Sequence, residues 1–359
     1  MKGSAMRIAL DGNEANVKER VGTGQYAYNL LELWCRNPSH TFHIYLRNAP
    51  LPDLPKESVN WRYHIIGPQK AWTRLALPLA LGLSHKHDVF WNPAHYLPPF
   101  TFSKSVVTIH DLAYEHFPEY FLPTDLYKLR NWTKASVKKA DKIIAVSQAT
   151  KNDLIQLYLV PSHKIRVIYN GYDEQRFHAK FKIKKQNYIL FVGTIQPRKN
   201  ISNLVHAFSL LKDRGYSGKL VIAGRVGWLA DEILTTIKKN RYQQDIILKG
   251  YVSEEQRCAL TRAAQILVLP SLYEGFGLPL LEAMASGVPV AGSNNSSIPE
   301  VIGRGGELFD PTKPEDIAQK IMKVVSSSST YTQHALRQAR KFSWEKCATE
   351  TLNYITEVQ

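Results

Sequence analysis

The sequence predicts an α/β protein made of two Rossmann-like domains, each with a doubly wound parallel sheet. Short apolar runs rich in β-branched residues recur along the chain, with helix-like segments between them. Alternation of this kind predicts parallel strands that are covered by helices on both faces. The alternation runs through the sequence twice, and 359 residues are enough for two domains of ordinary size.

The candidate strands follow one another in chain order. The first half contains RIALDG, TFHIYLR, WRYHII, DVFWN, SVVTIHD, KIIAVS and IRVIYNG. The second half contains YILFVG, KLVIAG, DIILKG, ILVLPS and VPVAG. Residues 201–211 show the helical spacing expected between strands, with apolar side chains at Leu204, Val205, Phe208 and Leu211.

The domain boundary is expected in the polar, basic segment 173–187, DEQRFHAKFKIKKQN. It divides the chain into an N-terminal domain of residues 6–176 and a C-terminal domain of residues 187–340, with a final segment at 341–359. In doubly wound sheets ligands bind outside the carboxyl ends of the strands. Functional residues are therefore expected directly after each strand.

The formal net charge of +15 predicts an acidic partner, such as nucleic acid, anionic lipid or a phosphorylated small molecule. Basic residues concentrate in a predicted helix at 125–142, together with Leu126, Leu129, Trp132 and Val137. This pattern fits a helix lying on a membrane surface. It also fits an ordinary amphipathic helix with a solvated basic face, and the second interpretation is favoured.

The compartment is inferred from the cysteines and from the apolar runs. Cys35, Cys258 and Cys347 are widely spaced and odd in number, which indicates a reducing environment. No apolar run is long enough to span a bilayer, and the N-terminus does not resemble a secretion signal. We expect a cytoplasmic protein, with peripheral attachment to the inner membrane face as an open alternative.

The stretch GTGQYA, with Gly22, Thr23, Gly24 and Ala27, matches a dinucleotide-binding fingerprint. That fingerprint requires the first glycine to follow a strand directly, whereas NEANVKERV separates IALDG from Gly22. The following strand also ends without an acidic residue that could hold a ribose. A dehydrogenase is therefore disfavoured. Amides at the start of this predicted helix could still face an anion, and simple loop geometry is an equal alternative.

The stretch SLYEGFGLPLLE (271–282) places two carboxylates around the start of a predicted helix. Pro279 suits the first turn, Gly287 ends the helix, and Glu282 is expected in the first turn. A helix N-terminus approached by glycines favours a diphosphate. Carboxylates beside it would bind neutral sugar hydroxyls instead. Stabilisation by the helix dipole is a serious alternative for Glu282 and a weaker one for Glu274.

The stretch VGTIQPRKN places Arg198 and Lys199 in the loop after the first strand of the C-terminal domain. Both side chains suit a diphosphate, since arginine can fork onto phosphate oxygens and lysine offers a compact charge. Exposed surface charge is an equal alternative for this motif alone.

EGFGLPLLE resembles the E-x7-E signature of the retaining glycosyltransferases of family 4, also called group 1 glycosyltransferases. VGTIQPRKN, VIYNGYD, IAGRVGW and VSEEQRCAL are similar to that family, as are GTGQYAYNLL, IHDLAYEHFPEYF and AVSQATKNDL. The resemblance covers nearly the whole chain. It implies the GT-B fold, two Rossmann-like domains facing a cleft, with an N-terminal acceptor domain, a C-terminal donor domain and a final helix packing back on the N-terminal domain.

The resemblance also implies roles for individual residues. Glu274 would bind the hydroxyls of the donor sugar and Glu282 those of the ribose. Arg198 and Lys199 would hold the diphosphate, and His110 would lie close to the transferred sugar, although it could equally be a structural residue at a strand end. The remaining donor residues would be Gly193, Thr194, Tyr251, Val252, Gly275, Phe276, Gly277 and Leu278. Thr194 stands where many members have arginine.

The implied activity is transfer of a hexose from a nucleotide sugar, with retention at the anomeric carbon. GDP-mannose is favoured over UDP-hexoses as donor, and the acceptor is a sugar or a lipid-linked glycan. No metal and no cofactor beyond the nucleotide-sugar co-substrate are expected. The alternatives are a nucleotide-sugar epimerase or a phosphorylase within the same fold and, in another class, a basic nucleic-acid-binding protein, for which no reading motif is present.

Overall fold

The computed structural model describes residues 5–84, 87–179 and 183–357. The chain forms two compact units. Unit 1 comprises the described residues of Met1–His116, Phe121–Gly171 and Trp344–Gln359, and unit 2 comprises those of Phe117–Tyr120 and Tyr172–Ser343. The chain thus passes into unit 2 after Gly171, next to the boundary segment expected at 173–187, of which residues 180–182 lie outside the described residues.

Unit 1 contains a parallel sheet that has seven strands in its described residues. The strands are β1 (Arg7–Asp11), β2 (Thr41–Leu46), β3 (Trp61–Ile65), β4 (Val89–Asn92), β5 (Lys104–Ile109), β6 (Lys142–Ala145) and β7 (Ile165–Val167). The helices are α1 (Gly22–Trp34), α2 (Ala76–Leu83), α3 (Ala113–His116), α4 (Pro123–Lys139), α5 (Gln148–Tyr158) and the C-terminal α13 (Trp344–Thr356). All the strands predicted in the first half are present.

Unit 2 contains a second parallel sheet, with six strands in the part of the unit that is described. Its strands are β8 (Tyr188–Val192), β9 (Lys219–Ala223), β10 (Ile246–Gly250), β11 (Ile266–Leu269), β12 (Val290–Ser293) and β13 (Gly306–Phe309). Its helices are α6 (Ile201–Asp213), α7 (Asp231–Lys239), α8 (Glu254–Ala263), α9 (Leu278–Ala285), α10 (Ile298–Ile302), α11 (Pro314–Ser326) and α12 (Ser328–Ala339). The edge strand β13 was not predicted, since it has four residues and includes a glycine and a glutamate.

Both sheets are doubly wound around a switch point. Unit 1 has the strand order β3-β2-β1-β4-β5-β6-β7, and unit 2 has β10-β9-β8-β11-β12-β13. In unit 1 the strands that follow β1 and those that follow β4 therefore extend towards opposite edges of the sheet. In unit 2 the same holds for β8 and β11. Crevices form at such switch points, beyond the carboxyl ends of the strands. Each unit thus has one place where a site is expected.

The helix predicted over 125–142 ends earlier than expected. Helix α4 ends at Lys139, and Lys142 opens β6. Leu126, Leu129 and Val137 pack on the core of unit 1. The ring of Trp132 lies edge-on to Tyr96, at 5.6 Å between centroids. These four apolar side chains therefore serve packing within the unit, as the amphipathic interpretation requires.

Helix α13 packs within unit 1 against α1. The indole Nε1 of Trp34 donates to the carbonyl of Ala348 at 3.0 Å, and Lys142 Nζ donates to the carbonyl of Tyr354 at 3.3 Å. None of the helices that the structure describes combines the length and apolarity needed to cross a bilayer.

Candidate active site

The switch point of unit 2 brings together the loops that follow β8 and β11. After β8 the chain makes a single 3₁₀ turn, Pro197–Lys199, and α6 begins at Ile201. Asn200 joins the neighbouring loops, because its Nδ2 donates to the carbonyls of Pro270 at 3.0 Å and Pro311 at 2.7 Å. The amide of Leu272 donates to the carbonyl of Arg198 at 2.9 Å. The two loops are therefore fixed to each other by backbone contacts.

Glu274 lies at the centre of this switch point and is only 8% exposed. Its Oε1 is 2.6 Å from Lys199 Nζ and accepts a hydrogen bond from Ser271 Oγ at 2.6 Å. Its Oε2 is 3.8 Å from Arg198 Nη1. The structure thus brings together Glu274, Arg198 and Lys199, three of the residues singled out in the sequence. We refer to Glu274, Arg198, Lys199 and Ser271 as the β8/β11 cluster.

The backbone of Glu274 is also held in place. Its amide donates to Ser296 Oγ at 3.0 Å, and Ser297 Oγ donates to its carbonyl at 2.9 Å. Ser296 and Ser297 were missed in the sequence analysis because nothing in the local pattern distinguishes them from other loop serines, and Ser271 was given no role there. They fix the direction in which the carboxylate points.

Glu274 stays ionised despite its burial. Burial by itself raises the pKa of this carboxyl, but the charges of Lys199 and Arg198 and the hydrogen bonds from Lys199 and Ser271 outweigh it. The pKa therefore lies below its usual value. Two cations around one carboxylate leave the β8/β11 cluster with one net positive charge.

Helix α9 starts beside this cluster. Gly277 is its N-cap residue with φ +100°, a conformation that favours glycine, and Pro279 lies in the first turn as predicted. The first amides of a helix have no partner within the helix, so they form a weakly positive end. The ring of Phe276 is buried and lies edge-on to Phe342 at 5.8 Å. Phe276 therefore packs inward with its side chain.

Glu282 lies one residue further into α9 than predicted, just past the first turn. Because the helix begins at Leu278, Glu282 is the fifth helical residue, and α9 has no acidic residue in its first turn. The dipole explanation for Glu282 therefore loses its basis. Its carboxylate instead makes an ion pair with Arg257 Nη1, from α8. Burial raises the pKa of Glu282 above its usual value although Arg257 opposes that shift.

Arg257 was missed in the sequence analysis, since it precedes Glu282 by 25 residues and nothing links the two motifs. Its guanidinium also lies 5.0 Å above the ring of Phe177 and 3.4 Å from a carboxylate oxygen of Glu254. Neither of the two glutamates of the E-x7-E stretch is thus isolated. Each is buried against a cation that comes from a different part of unit 2.

The remaining expected donor residues lie at the carboxyl ends of β8 and β10. Thr194 packs against Gly227, where an added Cβ would lie 2.7 Å from the threonine methyl group. A Cβ added at Gly193 would lie 4.0 Å from Lys199 Cε, so Gly193 borders the β8/β11 cluster. Tyr251 follows β10 with its ring 56% exposed, and Val252 is half-buried beside it.

A cationic side chain lies over the Tyr251 ring. Arg225, in the loop after β9, has its guanidinium carbon 5.0 Å from the ring centroid. The chain passes close to Gly193 here, since a Cβ added at Gly224 would lie 1.9 Å from the Gly193 carbonyl oxygen. Arg225 follows a predicted strand closely, but the sequence analysis gave it no role.

His110 lies at the carboxyl end of β5, at the polar edge of the unit 1 sheet, and is 8% exposed. Its Nε2 is 2.7 Å from the carbonyl oxygen of Pro93, and the ring of Tyr26 lies edge-on at 5.0 Å. Burial and the neighbouring His95 lower the pKa of His110 to about 4. The imidazole is therefore neutral at pH 7. Because a carbonyl only accepts, Nε2 carries the proton and Nδ1 is an acceptor.

Asp11 lies at the switch point of unit 1, where β1 ends beside β4. Its carboxylate accepts hydrogen bonds from Asn13 Nδ2 at 2.7 Å and from Asn92 Nδ2 at 3.3 Å. Burial raises the pKa of Asp11 to about 6 although hydrogen bonds from Asn13 lower it. Asp11 was missed because it lies inside the predicted strand run RIALDG, where it was given no role. It marks the unit 1 crevice as a second polar site.

Gly22 and Gly24 open α1, as expected, but differ in their surroundings. A Cβ at Gly24 would lie 2.9 Å from the Glu14 carbonyl oxygen, so close packing explains this glycine. A Cβ added at Gly22 would meet no atom of the described residues within 4 Å outside its own stretch of chain. Thr23 Oγ1 donates to Glu14 Oε2 at 3.1 Å. Glu14 thus brings a carboxylate beside the start of α1, and an anion site at Gly22, Thr23 and Gly24 stays a prediction.

Potential metal ligands do not cluster in the described part of the chain. Within residues 5–84, 87–179 and 183–357, no group of three or more His, Cys, Asp or Glu side chains is placed to hold a metal ion. The carboxylates described above have amide or cationic partners.

Comparison with known proteins identifies the family. A family model described as Glycosyl transferases group 1 matches residues 173–342, and one described as Glycosyltransferase Family 4 matches residues 21–176. O-antigen chain mannosyltransferase B of Escherichia coli is 33% identical over 283 residues, which are 75% of this chain and 74% of that protein.

Solved structures identify the fold. Sucrose-phosphate synthase from Thermosynechococcus elongatus matches with a TM-score of 0.78 at 18% identity, over 98% of this chain and 99% of that one. Anabaena Alr3699/HepE, solved in complex with UDP and glucose, matches with a TM-score of 0.73 at 16% identity, over 98% and 100% of the two chains. The predicted GT-B class is thereby confirmed, and the chain belongs to the group 1 glycosyltransferases of family 4.

Proposed function

We propose that this glycosyltransferase moves a hexose, with mannose favoured, from a nucleoside diphosphate sugar to a hydroxyl group of a glycan. The observation that carries the proposal is the β8/β11 cluster, in which a buried, ionised carboxylate is held by two cations at the switch point of unit 2. Such a cluster offers positive charge and an oriented hydrogen-bond acceptor in one place. A sugar joined to a diphosphate needs both.

The diphosphate would bind to the net positive charge of the β8/β11 cluster. Lys199 and Arg198 attract the phosphate oxygens, and the amides at the start of α9, from Gly275 to Leu278, add their dipoles. Thr194 replaces the arginine that many family members have, and Arg198 would supply the missing charge. Because negative charge grows on the leaving diphosphate, fixed cations next to it stabilise the transition state more than the bound donor.

The hydroxyls of the donor would bind to the two glutamates. The ionised carboxylate of Glu274 is a strong acceptor for sugar hydroxyls, and a carboxylate has about four lone-pair positions, more than its neighbouring side chains occupy. Glu282, held by Arg257, would accept from the ribose hydroxyls. The backbone at Tyr251 and Val252 would meet the base, and the Arg225 guanidinium over the Tyr251 ring offers a stacking surface beside it.

Transfer would proceed with retention. The acceptor hydroxyl attacks the anomeric carbon on the face from which the diphosphate leaves, and a phosphate oxygen of the leaving group takes the hydroxyl proton. This route requires neither a separate protein base nor a metal ion, and we propose that the protein uses neither. Loss of activity on treatment with EDTA, restored by a divalent cation, would contradict this part of the proposal.

Unit 1 would bind the acceptor, and the neutral imidazole of His110 suits an uncharged hydroxyl group. The neutral imidazole of His110 presents an Nδ1 lone pair to a hydroxyl group, while Nε2–H is engaged by Pro93. The E. coli relative is an O-antigen chain mannosyltransferase, which supports mannose as the sugar and a saccharide, free or lipid-linked, as the acceptor. GDP-mannose is therefore the proposed donor.

The test is a thermal-shift screen of nucleotide sugars, followed by product analysis. We expect GDP-mannose to raise the melting temperature most, because a ligand that binds the folded state stabilises it by mass action. Transfer of labelled mannose to a mannose-containing saccharide should follow, with an α-linkage in the product. If no nucleotide or nucleotide sugar shifts the melting temperature, the proposal falls. A free sugar of changed configuration formed without acceptor would identify an epimerase.

A further inference from the structure

The loop after β4 in unit 1 contains a histidine with a strained backbone. His95 has φ +57°, a value that residues other than glycine rarely adopt. In the described part of unit 2 the residues with such a φ are Asn200, Leu229 and Ser296, and all three lie in loops that leave the carboxyl ends of strands. Strain of this kind clusters at functional sites, where the surrounding structure holds it in place. His95 lies in the corresponding place in unit 1, beside the strand that His110 follows.

The loop around His95 is fixed by hydrogen bonds to neighbouring elements. The amide of His95 donates to the carbonyl of Thr108, in β5, at 2.9 Å. The amide of Leu97 donates to Ser136 Oγ, in α4, at 2.9 Å. Glycine would adopt the same φ without strain. The histidine side chain is thus kept at a position where glycine would be the less strained residue.

The ring of His95 has one nitrogen without a protein partner on its inner side. Its Nδ1 is closed to solvent and has no hydrogen-bond partner within residues 5–84, 87–179 and 183–357. Buried polar atoms without a partner are rare and require an explanation. Because His95 is partly exposed, Nε2 is the nitrogen that can meet a partner from outside the chain. The orientation of the ring therefore favours Nε2 at the expense of Nδ1.

The rings of His95 and His110 are neighbours, with 5.8 Å between their centroids. Burial lowers the pKa of His95 below its usual value, although the charge of Asp111 opposes that shift. Both imidazoles are therefore neutral at pH 7. A neutral imidazole has one donor and one acceptor nitrogen. A hydroxyl group can both donate and accept, so it can pair with His95 Nε2 in either tautomer and with the acceptor Nδ1 of His110.

We propose that His95 binds one hydroxyl group of the acceptor sugar through Nε2, while His110 Nδ1 binds a neighbouring hydroxyl group of the same sugar. This inference rests on the proposed function, because it requires the acceptor to bind at the carboxyl edge of the unit 1 sheet. Hydroxyl groups on adjacent carbons of one sugar can reach two rings at this spacing. The positive φ and the unpaired Nδ1 are then consequences of directing Nε2 towards the acceptor.

The experiment compares mannose transfer from GDP-mannose to methyl α-mannoside by the wild type and by His95→Gly. Glycine removes the imidazole and accepts the same φ. We expect the KM for methyl α-mannoside to rise about fivefold, as is typical when one hydrogen bond between neutral groups is lost. The kcat and the KM for GDP-mannose should be unchanged, the signature of lost uniform binding of the acceptor. The melting temperature should stay close to that of the wild type, because relief of strain offsets the lost packing of the ring.

Leu159→Gly is the matched control for the backbone change. Leu159 has φ +56° at the end of α5 and is 83% exposed. Glycine at this helix end should raise the melting temperature and leave every kinetic constant unchanged.

Analogues of methyl α-mannoside that each lack one hydroxyl group test the hydrogen bond itself. With the wild type, the analogue without the hydroxyl group that His95 binds should show the same rise in KM as His95→Gly shows with the complete sugar. With that analogue, His95→Gly should cause no further rise, because the bond is already absent. A purely structural role would instead raise the KM by the same factor for every analogue.

Three results would overturn the proposal. One is an unchanged KM for methyl α-mannoside in His95→Gly. Another is an equal rise in KM for every analogue. The third is a wild type whose melting temperature rises with GDP-mannose but which transfers no mannose to methyl α-mannoside, and this result would also remove the acceptor part of the proposed function. Failure of the donor part is distinguishable, since no nucleotide sugar would then shift the melting temperature.

Discussion

The buried ionisable groups of the two units differ in whether their surroundings favour the charged or the neutral form. In unit 2, Glu274 is paired with Lys199 and Arg198, and its pKa is lowered. In unit 1, Asp11 and His110 have amide and carbonyl partners, and their pKa values move towards the neutral form, to about 6 and about 4. In unit 2 the surrounding cations favour the charged form of the carboxyl group, whereas in unit 1 burial shifts both pKa values towards the neutral form, which His110 adopts at pH 7.

This difference matches the chemistry that each edge is proposed to serve. Fixed cations act on a leaving diphosphate, whose charge changes during the reaction. An acceptor hydroxyl is neutral, and for it hydrogen-bonding geometry matters more than net charge. Substitutions at the unit 2 switch point should therefore change kcat or the KM for the donor. Substitutions of Asp11 and His110 in unit 1 should change how stability depends on pH, in opposite directions.

Lys199→Ala should have the largest effect. It removes the cation closest to the proposed diphosphate and leaves the buried Glu274 carboxylate with weaker compensation. We expect kcat to fall about 10²–10³-fold, as is typical when one fixed group that stabilises developing charge is lost. The measurement is steady-state transfer from GDP-mannose.

Lys212→Ala is the matched control for this prediction. Lys212 is another poorly exposed lysine of unit 2, paired with Asp245 at 2.7 Å on the far end of α6. Replacing Lys212 should lower the melting temperature without the large fall in kcat expected for Lys199→Ala. Equal loss of kcat in both variants would mean that Lys199 acts through folding alone.

Glu282→Gln should have a smaller effect, on donor affinity. The amide keeps one acceptor oxygen for a ribose hydroxyl but loses its charge, and Arg257 then has Glu254 as its remaining carboxylate partner. We expect KM for the donor to rise about 10-fold with kcat nearly unchanged, the signature of lost uniform binding. A lower melting temperature with an unchanged KM would make Glu282 a structural residue.

His110 should make the stability of the wild type fall in acid. Its pKa is about 4 in the folded protein against 6.5 for the free side chain, so the unfolded chain binds the extra proton between these values. Stability is therefore fully present above pH 6.5 and is lost as the pH falls towards 4, by ~2 kcal/mol at pH 5. His110→Gln should therefore show a shallower fall of the melting temperature from pH 7.5 to 5 than the wild type.

Asp11 should act in the opposite direction. Its folded pKa of about 6 lies above the ordinary value of 3.8, so the folded protein holds the extra proton in this window. The associated stability is present below pH 3.8 and is lost as the pH rises through 6. Asp11→Asn should therefore be stabilised relative to the wild type more at pH 7.5 than at pH 4.5. A difference that does not change with pH would contradict the burial of an ionisable Asp11.

Local pattern was sufficient to predict the strands and most of the fold. Runs such as YILFVG and ILVLPS are buried on both faces, so they read as continuous apolar segments. Strand β13 escaped because its four residues at the sheet edge carry little apolar signal. Glu282 was predicted in the first turn of α9 because Pro279 was expected to begin the helix. The helix begins one residue earlier, at Leu278, directly after Gly277.

The partners of the site residues could not be predicted, because they come from distant parts of the chain. Glu274 meets Lys199 across 75 residues, and Glu282 meets Arg257 across 25. Sequence spacing within one motif carries no information about such pairs. The same limit applies to α2, whose apolar run reads as core from its sequence although half of its leucines face outwards.

In the proposed donor site, Glu274 binds the sugar while the cations beside it bind the diphosphate. Calorimetric titration of Glu274→Gln with GDP and with GDP-mannose, compared with the wild type, tests both parts at once. We expect the variant to bind GDP as tightly as the wild type or more tightly, because one negative charge has left the β8/β11 cluster. The additional affinity contributed by mannose should be lost. Equal weakening of GDP and GDP-mannose would contradict it and reduce Glu274 to a counterion for Lys199.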